Sequence, residues 1–127
     1  MRENGTDRDI ALQLLDAVTT AANLVTVINQ NLYEAVVTTQ PTDQTGAVGD
    51  TVQFTVAGFN IEAYQWQYRP TATGTWQNSS STGYNTDTLD VEITEQRYAY
   101  YYRCRLTGPK GTYTYTDVVR LRRPATT

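Results

Sequence analysis

Few side chains in this chain could do chemistry, and the missing ones narrow the field further. Its 127 residues include no His and a single Cys, Cys104. That excludes Ser-His and Cys-His nucleophilic machinery, His-based metal sites and any intrachain disulfide. Asp90 and Glu92 come nearest to a carboxylate pair. Two residues apart on a strand they share one face, whereas paired-carboxylate hydrolysis needs them opposed across a cleft. Ser79, Ser80 and Ser81 have no base beside them and read as loop. The expectation is a non-enzymatic protein with no catalytic residues, no cofactor and no metal.

Binding chemistry is better represented. Six of the ten tyrosines fall between Tyr98 and Tyr115, among Arg103 and Arg105. A strand can bury only alternate positions. If Tyr100, Tyr102 and Cys104 face inward, Tyr101, Arg103 and Arg105 face outward beside Tyr113 and Tyr115. Tyr and Arg are the residue types enriched at binding hot spots. These five residues are the candidate contact face, for a protein or a glycan, set against plain cross-strand packing on a solvated sheet.

Charge is unevenly placed. Arg103, Arg105, Lys110, Arg120, Arg122 and Arg123 face only Asp117 in their stretch, while acids dominate the first 62 residues. The formal net charge of −3 and the lack of a recognised motif argue against a nucleic-acid partner. The polarity instead suggests orientation toward partners or between copies.

These residues need elements to hold them, and the composition divides the chain in two. Thr6 to Gln40 contains neither Gly nor Pro, whereas everything from Pro41 on carries seven of the eight Gly and all four Pro. Gly and Pro punctuate turns and disfavour helix interiors, so the break predicts a boundary at 40/41. Residues 1–40 are expected to form one long amphipathic helix, capped by Thr6 with Asp7 and Asp9 in its first turn. Ala11, Val18, Val25 and Leu32 occupy one heptad position, and Leu14, Ala21, Ile28 and Ala35 the other. Asp16 and Glu34 are the only charges between Ile10 and Gln40. So apolar and β-branched a stripe predicts a helix that needs partners, its own copies (a trimer) or another protein. Asn23, Thr26 and Asn29 interrupt it, so no membrane insertion is expected.

Residues 41–127 read as β. Val52, Phe54 and Val56 alternate with polar neighbours, as do Tyr64, Trp66 and Tyr68, and Leu89, Val91 and Ile93. A strand from Tyr98 to Leu106, a turn at Thr107–Gly111 and a return strand from Thr112 to Arg122 complete the pattern.

Pro41 to Arg123 resembles an immunoglobulin-like domain of the bacterial and phage type. The residues that carry the resemblance are Gly49-Asp50-Thr51-Val52-Gln53-Phe54, Tyr64-Gln65-Trp66-Gln67, Trp76, Leu89 with Val91, and Tyr102-Arg103-Cys104 followed by Gly108. It implies a mainly β, antiparallel immunoglobulin-like sandwich with a core signature of Phe54, Trp66, Leu89, Val91, Tyr102 and Cys104. Phe54 stands where the family carries its first bridging Cys, so the inter-sheet disulfide is absent and Cys104 becomes a small buried apolar residue. A corner hydrogen bond from Tyr102 is also implied.

An extracellular-type sandwich with a polar start in place of a secretory signal, joined to an oligomerising helix, fits a virion assembled in a bacterial host cytoplasm. The resemblance implies a phage structural protein, a capsid decoration or a head or tail fibre component. It would be held by its own copies or by capsid and other virion proteins, and would adhere weakly to host-surface glycans or mucus. The alternative is an interaction module of a bacterial surface or secretion-system protein.

Overall fold

The computed structural model describes residues 34–125. Leu32 and the six other seam positions before it, from Ala11 onward, lie outside them, as does the expected helix up to Tyr33. The described chain is mainly β: β1 (Val36–Thr39), β2 (Gln44–Thr45), β3 (Thr51–Thr55), β4 (Ala57–Phe59), β5 (Ala63–Arg69), β6 (Gln77–Asn78), β7 (Thr88–Glu92), β8 (Tyr101–Thr107), β9 (Tyr113–Tyr115) and β10 (Leu121–Arg122). One 3₁₀ turn, Gln96–Ala99, leads from β7 to β8.

The strands follow from period-2 patterning. β3 and β7 pair antiparallel with Phe54 opposite Leu89 and Val52 opposite Val91, so both strands turn the same parity inward. A four-stranded antiparallel sheet, in the order β6-β5-β8-β9, places Trp66 opposite Cys104 and Tyr68 opposite Tyr102. The two sheets meet through the Phe54 ring, whose centroid lies 6.4 Å from that of Trp66 and 5.3 Å from that of Tyr102. Phe54, Trp66, Leu89, Ile93, Cys104 and Leu106 are fully buried, and Val56 and Val91 are nearly so. At roughly 1.5–3 kcal/mol for each fully buried large apolar side chain, this cluster is the main stabilising feature of the fold. The indole N–H of Trp66 would be costly to bury unpaired; it donates to the Thr86 carbonyl at 2.8 Å. Gly83 shapes the loop that supplies this acceptor. Its φ is +85°, and a Cβ there would sit 1.9 Å from the Thr88 carbonyl oxygen, so no other residue fits.

Three details depart from the sequence reading. Val36–Thr39, assigned to the helix, is strand β1, paired antiparallel with β4. Ala35, placed on the heptad stripe, is buried in the β core, and its carbonyl accepts from the Thr114 hydroxyl at 3.2 Å. Four consecutive β-branched residues explain the switch: they lose χ1 freedom in a helix and pack well on a sheet. The β unit thus begins by Ala35, ahead of the expected boundary at 40/41.

The expected single return strand from Thr112 to Arg122 is broken. Arg105 pairs with Tyr115, but Tyr102 pairs with Val119, so three steps along β8 face four on the return. That extra residue is a β-bulge. It turns Val118 out while Val119 and Leu121 stay buried. β10 then pairs with β2 in parallel.

The corner hydrogen bond also changes donor. Among the described residues Tyr102 makes none through its hydroxyl. Tyr98 instead reaches across the chain and donates to the Gly46 carbonyl at 2.5 Å. Tyr98 sits on the 3₁₀ turn, whose tight winding points this ring inward.

Candidate functional site

The five expected contact residues do share one surface, the outer face of the four-stranded sheet. β8 is buried at Tyr102, Cys104 and Leu106 and half-buried at Tyr101, Arg103 and Arg105. Tyr113 and Tyr115 of β9 are exposed on the same side. Each of the two strand arginines leans onto a ring diagonal to it across the β8–β9 ladder. The Arg103 guanidinium lies 4.0 Å from the Tyr115 ring centroid, and that of Arg105 lies 4.4 Å from that of Tyr113.

The array extends beyond those five residues. Trp76, just before β6, is touched by two guanidiniums, Arg103 at 4.2 Å and Arg69 at 4.7 Å. Arg69 ends β5 directly opposite Tyr101, whose ring it approaches at 5.3 Å. Arg120, from the stretch after the bulge, covers Tyr101 at 4.4 Å. A continuous run therefore crosses the sheet: Arg120, Tyr101, Arg69, Trp76, Arg103, Tyr115. Such contacts are worth about 0.5–1 kcal/mol each when exposed and about 2 when desolvated.

The guanidiniums are fixed from below as well. Arg103 Nε donates to Gln67 Oε1 at 3.0 Å, and the same amide donates to Asn78 Oδ1 at 3.0 Å. Gln67 is 7% exposed, a buried amide on an outward-facing position, because the stacked side chains cover it. Burial, with Arg69 and Arg105 nearby, moves the Arg103 pKa below its usual value, while the neighbouring Tyr115 opposes the shift. The Nε atoms of Arg69, Arg105 and Arg120 are buried without a hydrogen-bond partner among the described residues. The face concentrates like charge and leaves some of its donors unmet.

Among the described residues none of these four arginines forms an ion pair. The ion pairs lie elsewhere, Arg122 with Asp43 at 2.8 Å and Arg123 with Glu95. No described residue accepts from the terminal nitrogens of Arg69, Arg103 or Arg105, while Arg120 Nη2 donates to the Tyr98 carbonyl at 3.0 Å. The arrangement can therefore present rigid, outward-facing guanidinium edges to an anion.

Sequence reasoning missed Arg69, Trp76 and Arg120. Arg69 was accessible from parity, since it shares a face with Gln65 and Gln67 on β5. Trp76 sits in a Gly-containing loop without periodicity, and Arg120 follows a bulge that alternation does not reveal.

The remaining candidates are less developed. A cleft of about 450 Å³ runs beside the 3₁₀ turn, lined by Tyr68, Ser79, Ser81, Arg97 and Tyr100 among others. Tyr68 and Tyr100 stack there at 5.3 Å, and Ser79 Oγ accepts from the Ser81 amide at 3.1 Å. A second, shallower cleft holds Asp90 and Glu92 with Arg97. Asp90 accepts from the Gln53 amide across the β3–β7 pair at 2.9 Å, so it is engaged on its own sheet. Cys104 is fully buried beneath the arginine face, and burial pushes its thiol up to about 12, far from a reactive thiolate.

No protein-family model matches the chain, and no curated protein matches it either.

Proposed function

We propose that this chain is a non-enzymatic phage virion structural protein, a capsid decoration or fibre component, that displays an immunoglobulin-like sandwich for weak adhesion to cell-surface glycans or mucus. The carrying observation is the outer face of the four-stranded sheet, where Arg69, Arg103, Arg105 and Arg120 stack on aromatic rings without a carboxylate partner among the described residues. A sheet face kept only for solubility has no need to crowd like charges or to leave buried donors unmet.

The immunoglobulin-like part of the reading is supported by the core. Trp66 on β5 faces Phe54 on β3 and pairs with Cys104 on β8, so Phe54 fills the place between the sheets where the family's bridge would lie. In this reading the segment before Ala35 joins the domain to its own copies or to other virion proteins.

Retention on immobilised mucin is the first test. Wild-type chain is expected to bind, and Tyr101→Ala/Arg103→Ala/Tyr113→Ala to elute early while melting as a folded protein. Unchanged retention of that variant would remove the contact face from the reading. Cosedimentation with particles released from the host tests the virion assignment, and a chain found only in the soluble fraction would refute it.

A further inference from the structure

We propose that the ligand of the arginine face is an acidic polysaccharide, its carboxylate or sulfate groups taken edge-on by Arg69, Arg103 and Arg105. This deepens the adhesion reading and rests on it. The rings of this face are already covered. Trp76, Tyr101, Tyr113 and Tyr115 each have at least one guanidinium stacked on them. A neutral sugar, which would lie flat on an aromatic ring, finds those rings taken. A single-stranded nucleic acid, which binds by stacking bases on aromatic platforms, is disfavoured for the same reason.

Stacking leaves the guanidinium edges as the groups on offer, and a planar fork of N–H donors matches an oxyanion. Charge complementarity therefore selects an anion, and the layout selects a polymer. One exposed guanidinium–anion pair contributes little in water. Arg103 and Arg105, two residues apart on β8, stand about 7 Å apart along the strand, with Arg69 on the neighbouring strand. A chain that repeats its negative groups engages several of them at once and gains by effective concentration. A protein partner would need a desolvated pocket for an aromatic or aliphatic anchor, and the two clefts described above lie away from this face.

The test compares the full chain against immobilised hyaluronate (carboxylate), chondroitin sulfate (carboxylate and sulfate), neutral dextran and single-stranded DNA. Binding is expected to the two acidic polysaccharides and not to dextran. It should weaken steeply between about 50 and about 200 mM salt, as charge-driven binding does. Arg103→Gln/Arg105→Gln is expected to lose about tenfold or more, since a hydrogen bond to a charged group is worth roughly 1.5–3 kcal/mol. Arg103→Lys/Arg105→Lys, which keeps charge but not the fork, should lose less. Thermal melting checks that both variants fold, and the comparison of ligands on wild type does not depend on either variant.

Dextran bound as well as hyaluronate would overturn this proposal while leaving adhesion standing. Tighter binding to DNA, or a folded Gln variant that binds like wild type, would also overturn it. Failure to bind any polysaccharide, mucin included, would overturn both readings.

Discussion

The outer faces of the two sheets are built from the same alternation and have opposite chemistry. On β3 and β7 the outward positions are Thr51, Gln53, Thr55, Thr88, Asp90 and Glu92. Four of the six pair across the ladder: Gln53 donates to Asp90 at 2.9 Å, and the Thr55 and Thr88 hydroxyls meet at 3.4 Å. The four-stranded sheet turns out Arg69, Tyr101, Arg103, Arg105, Tyr113 and Tyr115 instead. Its positive charges stack on rings and find no carboxylate among the described residues. One face pairs neutral and acidic side chains across its ladder; on the other the terminal nitrogens of Arg69, Arg103 and Arg105 have no acceptor among the described residues. That difference, more than the fold, is what the proposed contact face rests on, because one β fold can serve many unrelated roles.

The largest way to break the comparison is to remove what holds both faces apart. Phe54→Ala empties the contact to Trp66 and Tyr102, and is expected to cost about 3–5 kcal/mol. Urea unfolding should show both faces lost in one transition. A variant that unfolds the β3–β7 pair alone, with the arginine face intact, would mean the sheets are independent.

Alkali acts beneath only one of the faces. The Cys104 thiol ionises near 9.0 when free and is held protonated up to about 12 in the fold, mainly by desolvation. A folded value above the unfolded one means the contribution is complete below pH 9.0 and is lost as pH rises toward 12. The loss is of the order of a few kcal/mol. Burial raises Tyr102 above its ordinary 10.0 as well, adding a second loss from that pH upward. Melting temperature should fall from pH 9 and faster above pH 10, and Cys104→Ala should flatten the first segment alone.

How far the sequence foretold this contrast depends on the element. Period-2 runs at Thr51–Val56, Ala63–Tyr68 and Thr88–Ile93 were legible because apolar and polar residue types alternate along each, and Phe54, Trp66, Leu89, Val91, Tyr102 and Cys104 all lie in the core. β1 was misread because Ala35 continued an apolar heptad whose next residues were β-branched, and tertiary pairing with β4 decided the matter. The Tyr98–Gly46 bond joins residues 52 apart and has no local signal. Half of the arginine face was legible for the same reason as the strands, by parity on β8 and β9. Of the rest, Arg69 follows the same parity on β5, while Trp76 and Arg120 depend on a loop and a bulge.

Smaller perturbations sharpen the comparison. Trp76→Ala takes the ring from both Arg69 and Arg103 and should cost about 1–2 kcal/mol, with weaker mucin retention. Asp90→Asn/Glu92→Gln on the opposite face should change stability by less than about 0.5 kcal/mol and leave retention untouched. Reduced retention in that variant would mean the acidic face also contacts the ligand. Glu95→Gln should be smaller still. Its hydrogen bond to Arg123 holds its carboxyl below the usual range, so the pair helps above that range and fades as pH falls, on a fully solvated rim.

The parallel pairing of β10 with β2 has a mechanical meaning. Tension between the two ends of the β unit draws β2 backward along its axis and β10 forward along its own. Because the strands run the same way, their rungs, Gln44 to Arg120 at 3.2 Å and Gly46 to Arg122 at 3.1 Å, are loaded together in shear and cannot be unzipped one at a time. Asp43 adds a side-chain rivet at this seam, accepting from the Arg120 amide and from the Arg122 guanidinium, each at 2.9 Å. Tension applied beyond β1 and β10 loads this seam together with the β1–β4 pair that precedes it in the chain.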